Sequence, residues 1–272
     1  MRILLINDQP GYGKVALSSM MPILSYMDYE VMMLPTVLLS NTLDYGQFAR
    51  LETTEYMKQC FEVWDKLGFD FDAVCIGFIA SEEQSRLLAD FCEKRKKSHG
   101  TKIFVDPIMG DNGRLYNSMT AGSVKNRRRL CAVADVIVPN MTEAGFLANC
   151  CAGETAVTQA QMQEMIARLR EMGTGSVVIT SATVDGVTQV CGYDGEKDEP
   201  ISVPFSYVPI HLNSTGDIFS AILAGEVMKG RTLQESTEKA VKAVGMLIQK
   251  ELQRESHYKG LVVEQYLEEL EL

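Results

Sequence analysis

Short apolar runs alternating with amphipathic stretches set the rhythm of this chain. Ile3–Ile6 is an unbroken apolar run stopped by Asn7-Asp8-Gln9-Pro10-Gly11. It predicts a strand buried on both faces. A helix over Val15–Met27 and a second strand over Glu30–Leu34, ended by Pro35, follow. Thr36–Gln47 has weak periodicity and reads as a functional loop or an edge. Thr53–Leu67 is helical, with Trp64 in the core or at an interface. Ala73–Ile76 is a strand with Gly77 at its carboxyl end. Glu82–Lys97 is an amphipathic helix, and its terminal Lys94-Arg95-Lys96-Lys97 suits the negative end of the helix dipole as a solvated cluster. Strands over Lys102–Val105, Val133–Val138 and Ser176–Thr180 close on Asp106-Pro107, Pro139-Asn140 and Ser181. Val187–Gly192 and Ile201–Pro204 read as a later, antiparallel addition. Helices near Ser214–Met228 and Leu233–Arg254 precede an acidic tail.

Strands that alternate with helices, each ending in polar residues or glycine, predict an α/β fold: a mostly parallel central sheet with helices on both faces. Ligands in such folds bind outside the carboxyl ends of the strands. No repeat, linker or low-complexity block divides the chain, so residues 1–272 are read as one domain.

Composition narrows the partners. The chain is 46% hydrophobic and 23% charged, with a formal charge of -10. That balance argues against nucleic acid or an anionic membrane as the main partner. It leaves a phosphate ligand open, because backbone amides bind phosphate inside an acidic protein. Seven cysteines, an odd number without a CxxC pair, read as reduced thiols of a cytoplasmic protein. His99, His211 and His257 lack metal-ligand spacing, which argues against zinc. No apolar run reaches membrane-spanning length.

The candidate chemistry gathers at strand ends and at one late turn. Asn213-Ser214-Thr215-Gly216-Asp217 runs directly into the apolar helix Ile218–Gly225. The first turn of a helix has unpaired N–H groups and the positive end of the dipole, which suits an anion. An aspartate there repels phosphate, but makes sense as a base beside it. A plain N-cap explains the same residues without catalysis. Asp106 with Asp111, Asn140 with Glu143, and Thr180 with Ser181 sit at three other strand ends. Each pair alone is ordinary turn or cap chemistry.

Taken in order, these segments resemble the ribokinase superfamily and, within it, the pyridoxal kinases. Val105-Asp106-Pro107-Ile108-Met109-Gly110-Asp111 is similar to the Asp-Pro-Val-Met/Leu-Gly motif of that family, and Pro139-Asn140-x-x-Glu143 to its Pro-Asn-x-x-Glu motif. Thr36-Val37-x-x-Ser40-Asn41 with Tyr45-Gly46 resembles the vitamin-B6 pocket segment, and Gly77-Phe78 the segment after the third core strand. The resemblance implies a ribokinase-like domain that transfers the γ-phosphoryl of ATP to the 5′-hydroxymethyl group of pyridoxal, pyridoxine or pyridoxamine. It implies Asp217 as the base, and the amides of Ser214, Thr215, Gly216 and Asp217 as an anion hole. Asp106, Asn140, Glu143, Thr180 and Ser181 would serve ATP. Asp111 and Glu143 would hold Mg²⁺, with Asp106 as an alternative to Asp111. Asp8, Ser40, Tyr45 and Phe78 would meet the B6 ring, although core or dimer packing explains Tyr45 and Phe78 equally well. A homodimer is implied, and K⁺ is left open because Val138 stands where a polar residue often lies near a monovalent-cation site. No GxxxxGK[ST] loop occurs, so a P-loop kinase is not the reading.

Two positions depart from the family pattern. Ser214 stands where the late motif begins with glycine, and a serine at positive φ costs about 1–2 kcal/mol. Thr42-Leu43 replaces a His-Thr pair in the B6 loop, which removes a hydroxyl that could bond the ring. Two other readings stay open on sequence. One is a hydroxymethylpyrimidine kinase of the same fold, opposed by Asp217 standing where that enzyme has a cysteine. The other is a non-catalytic B6- or nucleotide-binding protein.

Overall fold

Strands and helices interleave as far as residue 204, and the α-helices beyond it run to residue 252. The computed structural model describes residues 1–117, 119–210, 212–254 and 260–272. In chain order the elements are β1 (Arg2–Pro10), α1 (Leu17–Tyr26), β2 (Glu30–Leu39), β3 (Arg50–Glu52), α2 (Thr54–Leu67), β4 (Ala73–Ile76), α3 (Glu82–His99), β5 (Lys102–Val105), β6 (Gly110–Asp111), β7 (Arg114–Leu115), α4 (Ala121–Cys131), β8 (Val136–Ile137), α5 (Met141–Ala148), α6 (Gln159–Glu171), β9 (Ser176–Val184), β10 (Val187–Asp194), β11 (Glu199–Pro204), α7 (Thr215–Met228) and α8 (Leu233–Leu252).

The nine-stranded sheet has the order β11-β10-β9-β8-β5-β4-β1-β2-β3. The pairs from β9 to β2 are parallel, and β10, β11 and β3 are antiparallel. Strand residues alternate between two buried faces. Leu4, Ile6, Val74, Ile76, Ile103 and Val105 face a layer holding α2 to α6, whereas Ile3, Leu5, Ala73, Cys75 and Phe104 face α1, α7 and α8. Burial on both faces is why these strands read as unbroken apolar runs. The chain leaves β1 for β2 on one side and returns to β4 on the other. The β1/β4 gap is therefore the topological switch point, where such sheets bind ligands.

Several expected boundaries shift. β1 does not stop at Ile6; it pairs with β2 as far as Pro10, with a register irregularity between Asn7 and Gln9. Pro35 does not end β2. It pairs with Asn7 before β3 begins at the opposite edge, so its missing N–H falls where no strand needs it. The segment 36–39 is consequently strand, and the short edge β3 had no sequence signal. β9 runs on through Ser181 to Val184 and forms a hairpin with β10, whereas β8 keeps only two of the residues expected over Val133–Val138. Arg95 is not solvated: it is buried, bonding Asp65 and the Phe69 carbonyl. Trp64 packs edge-on to Phe71 in the core. The acidic tail is structured where described, and Leu261, Val263 and Leu270 are buried against the α1–α7–α8 layer. No helix among the described residues is long and apolar enough to cross a membrane.

Candidate active site

Asp217 lies in the first turn of α7, and two donors from distant parts of the chain hold its carboxylate. Asn7 Nδ2, at the end of the apolar part of β1, donates to Oδ1 at 3.1 Å. The backbone N–H of Ala16, just before α1, donates to Oδ2 at 2.9 Å. The N-termini of α1 and α7 thus meet on one carboxylate. Burial pushes the Asp217 carboxyl up, and the bonds from Ala16 and Asn7 oppose that shift by favouring the ionised form.

No side chain caps α7, whereas Ser81, Thr120, Asn140, Thr158 and Thr232 cap α3, α4, α5, α6 and α8. Ser214 sits in the left-handed region at φ 70°, and its hydroxyl donates back to the Asn213 carbonyl. The first-turn amides of α7 are left without a side-chain cap. A Cβ added at Gly216 would meet nothing nearer than Asp106 Oδ2 at 3.9 Å. No neighbouring atom demands glycine there; its bareness keeps the space over those amides open.

A second group of acids lies at the ends of β5 and β8. Asp106 Oδ2 accepts from Ser220 Oγ of α7 at 3.0 Å. Burial raises the Asp106 carboxyl well above its ordinary range, and the charges of Glu143 and Asp217 raise it further. Glu143 is buried, with one oxygen taking the Asn140 amide at 2.9 Å and the other those of Met109 at 2.8 Å and Gly110 at 3.4 Å. Burial pushes it to about 7 against those bonds. Asn140 caps α5, donates to the Gly110 carbonyl at 2.8 Å and bridges to Thr180. Asp111 is turned to Asn112 within the β6–β7 hairpin. Ser181, exposed at φ 54°, follows Thr180 in β9.

The described residues hold no cluster of three or more His, Cys, Asp or Glu placed as a ready-made metal cage. The electrostatics nonetheless fit a hard cation. Carboxylates crowd together here and raise one another's pKa, and a dication that keeps several waters relieves such crowding.

The expected ring pocket lies beside Asp217. Asp8 follows Asn7 within β1, and burial, then the Asp217 charge, push its carboxyl to about 7. Phe78 follows the end of β4, and its amide donates to Asn7 Oδ1 at 2.8 Å. Tyr45 meets Tyr12 edge-to-face with ring centroids 5.6 Å apart. Ser40 spends its hydroxyl inside the loop, donating to Asn41 and accepting from the Ala49 amide. Asn213, before α7, donates to Asp44 of the same loop, which ties that loop to the start of α7. The structure thus gathers Asp8, Phe78, Asp106, Asn140, Glu143, Thr180 and Asp217 at one end of the sheet, with Tyr45 on a loop tied to it. His211 and His257 lie outside the described residues.

Residues 25–262 match the family model described as phosphomethylpyrimidine kinase. The chain belongs to that family. A solved structure from Bacteroides thetaiotaomicron, provisionally named a phosphomethylpyrimidine kinase and crystallised in a form with pyridoxal, is 32% identical, with a TM-score of 0.93 over 100% of this chain and 96% of that one. Pyridoxal kinase from Lactobacillus plantarum is 27% identical, with a TM-score of 0.88 over 99% and 96%. The pyridoxal kinase of Arabidopsis thaliana is 27% identical over 92% of this chain and 82% of its own. The ribokinase-like α/β fold expected from sequence is the fold shared with these solved structures.

Several site residues of this phosphomethylpyrimidine kinase family member escaped the sequence reading. Asn7 carried a signal, a polar residue ending an apolar run at a central strand. Ser220 lies three residues beyond Asp217 on the same helix face, so helical spacing could have found it. Tyr116, whose hydroxyl is pushed up by burial and then by Glu143, Asp111, Asp106 and Asp217, carried none, and neither did the Ala16 amide.

Two predictions follow from this geometry. Ser214→Gly removes the left-handed serine and should stabilise the protein by about 1 kcal/mol. A lower urea midpoint in the variant would contradict that strain. Asp8 binds its proton more tightly folded than unfolded, so its contribution to stability is complete below about pH 4 and is lost as pH rises through about 7. The ligand-free protein should therefore gain stability between pH 7.5 and about 5.5. Asp8→Asn should flatten that gain in urea titrations at several pH values, and an undiminished slope would count against it.

Proposed function

We propose that this chain transfers the γ-phosphoryl group of ATP to the 5′-hydroxymethyl group of a B6 vitamer: pyridoxal, pyridoxine or pyridoxamine. The observation that carries this reading is a doubly anchored carboxylate, Asp217, beside an uncapped helix N-terminus and next to the Asp8–Phe78 pocket. Phosphoryl transfer asks a protein for alignment, charge stabilisation and a proton acceptor more than for covalent chemistry.

In this reading Asp8, Phe78 and Tyr45 seat the ring, and the loop through Ser40 keeps Tyr45 in place. The substrate hydroxyl donates its proton to Asp217, whose oxygens retain free lone pairs after the bonds from Asn7 and Ala16. The amides of Thr215, Gly216 and Asp217 receive the charge on the transferring group. Asn140, beyond the end of β8, and Thr180 and Ser181, within β9, face the ATP phosphates. Asp106, Asp111 and Glu143 would hold Mg²⁺, which would supply charge neutralisation for the ATP phosphates; Glu143 would act through water, because three amides already occupy its carboxylate. Free cysteines agree with a cytoplasmic setting. A hydroxymethylpyrimidine substrate is disfavoured by Asp217 and by the relatives named pyridoxal kinase.

A homodimer is proposed on the β2–β3 edge, where Leu38 and Leu51 remain 40% and 63% exposed. Sedimentation should give twice the protomer mass, and a monomer at micromolar concentration would rule this out. For the reaction, ADP release from Mg-ATP should require a B6 vitamer and exceed that with hydroxymethylpyrimidine. Asp217→Asn should lower kcat by about 10²–10⁴-fold. Turnover with hydroxymethylpyrimidine alone would overturn the substrate, and an active Asp217→Asn would overturn the base.

A further inference from the structure

Asn7 is 1% exposed, and its side chain joins three segments of the site. Its Oδ1 accepts from the Phe78 amide at 2.8 Å and the Asp8 amide at 3.0 Å. Two donors on one atom identify it as the carbonyl oxygen, so the amide nitrogen must face Asp217, at 3.1 Å. The contact between Nδ2 and Met20 Sδ, at 3.6 Å, is weak by comparison. Gly77 adds an independent observation. A Cβ there would lie 2.4, 2.5 and 2.6 Å from Asn7 Nδ2, Cγ and Oδ1, with no other atom as near. Gly77 is not in the left-handed region. Its lack of a side chain is therefore a matter of space, and the space is filled by the Asn7 amide.

The plane of an aspartate carboxylate is poorly fixed by its own torsion, because sp³–sp² rotations are broad. Asp217 needs external donors to aim its lone pairs, and Asn7 supplies the one that also touches the ring pocket. We infer that Asn7 is a positioning residue: its amide, locked by the Gly77–Phe78 backbone, sets the orientation of the Asp217 carboxylate and couples it to the seating of the ring at Phe78. This rests on reading Asp217 as the base of a B6 kinase. A merely structural role, tying β1 to the loop after β4, would lower stability and ligand binding without a selective effect on turnover.

Kinetic coupling between Asn7 and Gly77 separates the two. Asn7→Ala, Gly77→Ala and the double variant should be assayed with Mg-ATP and pyridoxal, alongside Asp217→Asn and calorimetric binding of ATP. Asn7→Ala and Gly77→Ala are each expected to lower kcat by about 10–100-fold, with KM for both substrates within about threefold of the parent. In the Asn7→Ala background, Gly77→Ala should cost less than about threefold, because the atoms it would strike are gone. Asn7→Leu keeps the branched heavy-atom skeleton and removes the polar atoms, and should lose kcat as Asn7→Ala does even if the alanine variant folds poorly. Full kcat in Asn7→Leu or Asn7→Ala would overturn the inference, as would a Gly77→Ala penalty equal in both backgrounds. If Asp217→Asn stays active, the base reading itself fails. If it is dead while the Asn7 variants are unimpaired, only the positioning role fails.

Discussion

The proposed chemistry depends on one constraint: a carboxylate must stay ionised and correctly aimed while largely removed from water. Burial alone would drive Asp217 toward its neutral form. The Asn7 amide and the Ala16 N–H oppose this, and each requires a costly local arrangement. Ala16 has φ 51° and ψ -127°, a conformation unusual for alanine. Asn7 is a polar side chain inside the apolar layer of β1, tolerated because its bonds are satisfied. The register irregularity between Asn7 and Gln9 falls at this same point of the β1–β2 ladder.

Around that carboxylate the other elements assume separate tasks. The parallel sheet brings β1, β4, β5, β8 and β9 to a common end, so short polar segments after each become neighbours. The helices following β4 and β8 are capped by their own side chains, which removes their N-termini from competition for anions. In α5 the same Glu143 that closes the capping box also accepts from the amides of Met109 and of Gly110 in β6, which fixes the hairpin to the strand end. α7, which carries Asp217, has no such cap, and neither has α1, whose Ala16 amide meets the same carboxylate.

Much of the fold was legible because burial on both faces writes itself as unbroken apolar runs. Ala73–Ile76 and Lys102–Val105 were read to the residue for that reason. Edges were not: Arg50–Glu52 has no apolar pattern, since it covers nothing. Pro35 misled because a proline breaks a strand only where its missing N–H is needed. In the site, Asp217, Asp106, Asn140 and Glu143 announce themselves as polar residues at strand and helix ends, although a sequence cannot say that three amides already engage Glu143. The Ala16 amide could not be foreseen at all, because a backbone donor leaves no trace in residue identity. Ser214 was legible as a departure from pattern, and its left-handed backbone is the conformation for which glycine is the ordinary choice.

The segment carrying Ala16 is itself held from far away. Lys14 bridges to Gly260 and pairs with Glu264, and Leu261 and Val263 lie buried against the same layer as α1. One of the two donors to Asp217 thus rests on the last described stretch of the chain, more than forty residues beyond the proposed base. The surroundings of that carboxylate are complete only when both ends of the chain have docked on each other.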